Sequence, residues 1–70
     1  MTNYKLIKNP DNGKDCGVLR NGADSIPFSL DNTDYQNFKK QINADEAQLE
    51  DADGNLMTAK AAKAYVATLP

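Results

Sequence analysis

The chain has no histidine and no tryptophan, and Cys16 is its only cysteine. One thiol forms no internal disulfide, and without histidine neither a Cys/His zinc site nor an imidazole acid–base pair can assemble. Cys16 is therefore expected as a small, half-buried apolar residue of a strand, since no histidine is present to activate its thiol. No apolar run approaches the length that spans a bilayer, and the opening Met1-Thr2-Asn3-Tyr4-Lys5 lacks the apolar core of a secretory signal. Basic charge is scarce as well: eight lysines and arginines face ten acids, for a net charge of −2. Nucleic-acid and anionic-membrane binders ordinarily carry a basic face, so neither partner is expected. These absences point to the cytoplasm, or to a particle assembled there.

Bulky apolar side chains are also few. Nine of the hydrophobic residues are alanine, and Tyr4, Phe28, Tyr35, Phe38 and Tyr65 are the whole aromatic complement. The 70 residues make one domain, residues 1–70. A domain this short usually needs a staple, and disulfide and zinc are excluded. Self-association or docking on a larger protein remains, although many chains of similar size fold unaided.

The polar punctuation divides the chain into short elements. Asn3 to Lys8 alternates as a strand, and Asn9-Pro10-Asp11-Asn12-Gly13 supplies a turn that Gly13 closes in the left-handed region. Lys14 to Arg20 is the return strand, with Cys16 and Val18 on one face. Asn21-Gly22 is the strongest local signal, because both positions tolerate the positive φ of a type I′ hairpin turn. A third strand runs from about Ala23 to Phe28, and Pro27, which cannot donate to a ladder, places it at a sheet edge.

Helical spacing then takes over. Tyr35, Phe38 and Ile42 form one apolar stripe. Thr33 with Gln36 fits a capping box for this helix, and Asn32 or Asp31 would also serve as cap. The stretch from Asp45 to Asp53 reads as a short strand, followed by a turn at Ala52-Asp53-Gly54-Asn55 and a brief return through Leu56 and Met57. Thr58 caps a final helix from Ala59 to about Leu69, whose inner face is Ala62, Tyr65, Val66 and Leu69. The expected fold is a small α+β domain: antiparallel hairpins in the order ββ(β)-α-ββ-α, with both helices packed on one face of the sheet.

Candidate chemistries fare poorly against this layout. Asp51-Ala52-Asp53-Gly54-Asn55 resembles part of an EF-hand loop, but aligning Gly54 with the obligatory glycine puts Leu49 at the first ligand position and Lys60 where the bidentate glutamate belongs. A polar hairpin turn accounts for it without an ion. Glu46, Glu50 and Asp51 have no apolar cleft to tune a carboxylate pair, and neither Asn12-Gly13 nor Asn21-Gly22 opens a helix as a phosphate loop would. No catalytic residue, cofactor site, metal site or small-molecule substrate is expected, and the chain is not expected to be an enzyme. The acids from Asp45 to Asp53 read as a solvated hairpin that guards a strand edge, with docking to a basic partner as the alternative.

Two segments resemble small accessory proteins of tailed bacteriophages. The first is Ile26-Pro27-Phe28-Ser29-Leu30-Asp31-Asn32-Thr33-Asp34-Tyr35, an Ile-Pro step followed by Asn-x-Asp-Tyr opening a helix. The second is Leu49-Glu50-Asp51-Ala52-Asp53-Gly54-Asn55-Leu56-Met57-Thr58 before an alanine-rich helix. The resemblance implies a virion or tail context, location in the virion or the host cytoplasm, and a protein partner: a capsid, neck or tail component, or another copy of the chain. The competing expectation is a non-virion effector that binds and modulates a host protein. Half-exposed aromatics are the usual anchors of such interfaces, and Tyr4 and Phe28, placed towards the outer parts of the meander, are the candidates.

Overall fold

The computed structural model describes residues 2–69; Met1 and Pro70 lie outside the described residues. The elements are β1 (Thr2–Lys8), β2 (Asp15–Arg20), β3 (Asp24–Pro27), α1 (Thr33–Asn43), β4 (Ala47–Glu50) and α2 (Ala59–Val66). Both helices lie on one face of a four-stranded sheet, giving the expected α+β domain.

The first three strands form an antiparallel meander, and its turns follow from their residues. Asn21 and Gly22 adopt φ of 51° and 72°, and Ala23 N–H closes the turn on the Arg20 carbonyl at 3.0 Å. In the first hairpin Gly13 takes φ 69° and its N–H reaches the Asn9 carbonyl at 2.8 Å. The β1–β2 register pairs Ile7 with Gly17 but Lys8 with Asp15. Cys16 is thus the extra residue of a bulge, with no partner opposite it on β1. That corrects the expectation of a half-buried Cys16: the bulge leaves it exposed.

The second half departs from a run of hairpins. The sheet order is β3-β2-β1-β4, and β4 joins β1 in parallel. After β3 at one edge, α1 carries the chain back across the sheet to the other edge. The register sets Leu49 beside Tyr4, so that two fully buried side chains share the helix-covered face. The return through Leu56 is a single antiparallel bridge, Glu50 to Leu56, with Met57 N–H on the Leu49 carbonyl at 2.8 Å. It goes no further because Thr58 already caps α2, accepting a hydrogen bond from Ala61 N–H at 3.1 Å.

The core is Tyr4, Leu6, Val18, Ile26, Tyr35, Phe38, Ile42, Leu49, Ala62 and Val66. All three members of the α1 stripe are in it, while Tyr65 and Leu69 of the expected α2 face are half-buried against it. Asn32 proves to be the α1 cap, accepting from Tyr35 N–H at 3.1 Å, and Gln36 turns back to the Leu30 carbonyl rather than to Thr33. Among the described residues no helix is long and apolar enough to cross a membrane.

Candidate functional site

The parallel docking of β4 decides the fate of the two aromatic candidates. With β4 outside it, β1 is an inner strand, and Tyr4 is fully buried rather than partly exposed. Its ring meets Phe38 edge-on at 4.8 Å and its hydroxyl donates to Gln41 Oε1. Burial pushes the phenol above its ordinary pKa, a shift that Arg20 opposes. Tyr4 is a core residue, so the anchor role expected for it is withdrawn. Phe28 is half-buried, with its ring centroid 5.4 Å from Tyr35 and 6.3 Å from Phe38. It closes the core just beyond the β3 edge and keeps one side towards solvent.

Two surface depressions stand out among the described residues, and only the second is lined by β4. The first, of about 540 Å³, lies between the β1–β2 turn, the Asp51–Asp53 turn and the end of α2. Its chemistry is internally satisfied. Tyr65 donates its hydroxyl proton to the Asp15 carboxylate at 2.9 Å, and burial, reinforced by this bond, pushes its pKa well above the usual tyrosine value. Asp51 Oδ1 accepts from the backbone N–H groups of Asp53 and Asn55, each at 2.9 Å. Those bonds, Asn55 first, hold the carboxyl below the usual range. The segment that resembles a calcium loop is a turn whose carboxylate is engaged by its own backbone. Among the described residues no group of three Cys, Asp or Glu is placed to hold a metal ion.

The second depression, of about 500 Å³, is a groove between the outer edge of β4 and the first half of α2. Its apolar lining is Ala47, Leu49, Leu56, Met57, Ala59 and Ala62, joined by the polar side chains of Gln48 and Thr58. At its mouth Lys63 Nζ bridges the Asp45 carboxylate at 2.9 Å, linking α2 to the start of β4. Leu56 stands 60% exposed on its rim, beside half-buried Met57. Only Leu30, at 61%, is comparably exposed among the large hydrophobic side chains described, and it lies in the turn before α1.

The groove is also a strand edge. The Leu49 carbonyl and the Asp51 N–H point outward, since Met57 and Asn55 bond them. Strand alternation then turns the N–H and C=O of Ala47 and the N–H of Leu49 outward too. No turn, loop or cap hydrogen bond engages those three groups among the described residues. Apolar surface and open backbone polar groups therefore coincide over Ala47 to Leu49. Sequence reading missed this place because it paired Ala47–Glu50 only with the brief Leu56–Met57 return and did not foresee that β4 docks on β1, which makes its other side a sheet edge. Thr58, read from the sequence as the α2 cap, does end the return at Met57, which leaves Ala47 to Leu49 without a full partner strand on that side.

The chain matches no family model, no curated protein and no solved structure.

Proposed function

We propose that this chain is a small, non-catalytic accessory protein of a phage particle that works by binding another protein, a capsid, neck or tail component. The observation that carries the reading is the β4–α2 groove, where a 60% exposed leucine adjoins an open strand edge. An exposed leucine alone is ordinary, but here it adjoins half-buried Met57 and unpaired backbone groups of a strand edge, a combination suited to receiving an extended chain. The chemistry elsewhere agrees with a binding role. Tyr65 is held protonated against Asp15 and Asp51 is engaged by its turn, so neither is poised to exchange protons with a substrate near neutral pH. The phage setting rests on the Ile26–Tyr35 and Leu49–Thr58 segments described above.

Protein identification on purified particles tests the reading, with copy number measured against the major capsid protein. The chain is expected at a fixed copy number that marks it as a coat, neck or tail part. Its absence from particles, with recovery at near-equal stoichiometry on one host protein, replaces the reading with that of a host-directed effector.

A further inference from the structure

The groove between β4 and α2 specifies more than an apolar contact. Its lining mixes apolar side chains, Leu56 and Met57 foremost, with Gln48, Thr58 and the Asp45–Lys63 pair; one wall is an open strand edge, and the segment leading into that edge is acidic. Glu46, immediately before β4, is exposed and makes no salt bridge among the described residues, whereas Lys63, the cation lining the groove, is neutralised by Asp45. Asp51 and Asp53 add negative charge at the other end of β4.

We propose that this groove binds an extended, basic segment of the partner protein as an added strand along β4. Ala47 exchanges a pair of backbone hydrogen bonds with the incoming chain and Leu49 donates one more. Alternate side chains of the added strand then point into the groove, where an apolar one rests on Leu56 and Met57, and outward, where lysine or arginine meets Glu46. The strand is short because residues 55–57 already occupy the edge opposite Glu50. A second copy of this chain fits less well, since joining two β4 edges antiparallel through Ala47 brings Glu46 of each copy, which has no salt-bridge partner among the described residues, towards that of the other. This inference rests on the reading that the chain binds a protein, and adds where and what.

The test uses the intact 15N-labelled chain and two blocked hexapeptides, one alternating lysine with valine and the other glutamate with valine. The lysine peptide should shift the amide signals of Ala47, Leu49 and the 56–63 segment, saturating on the order of 1 mM, as a short strand with few contacts would. It should also slow hydrogen exchange at Ala47 and Leu49. The glutamate peptide should bind about tenfold more weakly or worse, as should the lysine peptide to the Leu56→Ser variant, which removes the apolar contact without adding charge. Equal binding of both peptides, shifts mapping elsewhere, or no shift overturns the proposal. So do concentration-dependent shifts at the groove without peptide, which would assign it to a second copy. Particle incorporation separates this inference from the broader reading: a folded Leu56→Ser chain incorporated as well as the parent removes the groove and leaves the particle role, whereas a parent chain absent from particles removes the particle role whatever the peptides do.

Discussion

A β-carbon added to Gly17 would lie 2.4 Å from the carbonyl oxygen of Ile26, closer than any packed structure tolerates. Gly17 is opposite Ile7 on one side and Pro27 on the other, so this contact is where β3 closes on the meander. The neighbour is backbone and cannot rotate away. Gly17→Ala should therefore cost about 1–3 kcal/mol. In urea unfolding the midpoint should fall with little change in slope, the mark of a stability change without altered compactness. An unchanged midpoint would mean that β3 yields freely, contrary to the geometry.

The α1 cap makes a second test. Asn32 Oδ1 accepts from Tyr35 N–H at 3.1 Å, while Gln36 Nε2 is engaged with the Leu30 carbonyl. Asn32→Ala should lower stability by about 1 kcal/mol. Thr33→Ala, at an exposed position, should stay within about 0.5 kcal/mol. The reverse ranking in thermal or urea unfolding would reinstate Thr33 as the cap.

Alkaline pH probes the aromatic core. Tyr4, Tyr35 and Tyr65 are all raised above the ordinary value of 10.0, each chiefly by burial, and Tyr65 also by its bond to Asp15. The folded chain therefore keeps these phenolic protons to higher pH than the unfolded chain does. Their contribution to stability is complete below about pH 10 and is lost as pH rises through that value towards the folded pKa values. Tyrosinate absorbance should appear together with loss of the fold, in one transition above pH 10. Phe in place of Tyr65 should make the alkaline loss less steep while lowering neutral stability by about 1 kcal/mol through the missing hydrogen bond. Three tyrosines titrating near pH 10 in a chain that stays folded would contradict the burial.

Much of the first half was legible because its signals are local. Asn21-Gly22 has almost one turn available to it, Pro27 marks an edge, and Tyr35, Phe38 and Ile42 share a helical face whatever they pack against. The partner of β4 was not legible. Ala47 to Glu50 pairs with residues more than forty positions earlier, and nothing in four residues distinguishes a hairpin arm from a parallel insertion. That one pairing moved Tyr4 from the margin of the sheet to its interior. It also opened the edge beside Leu56, so the missed pairing and the missed groove have one cause. Cys16 was misjudged for a smaller reason of the same kind, since the bulge inserts one residue and shifts the inward–outward phase of β2 there, so that Cys16 does not share the buried face of Val18.

Leu30 and Leu56 form a matched pair, exposed to 61% and 60%, one in the turn before α1 and the other on the groove. Serine at either position should leave the fold intact, as far-UV circular dichroism would verify, because neither side chain belongs to the core. The decisive measurement is the amount of each variant retained on purified particles relative to the parent chain. The groove account predicts that Leu30→Ser is retained as the parent is, while Leu56→Ser falls about tenfold or more. Equal retention of the two variants, or equal loss, would contradict it.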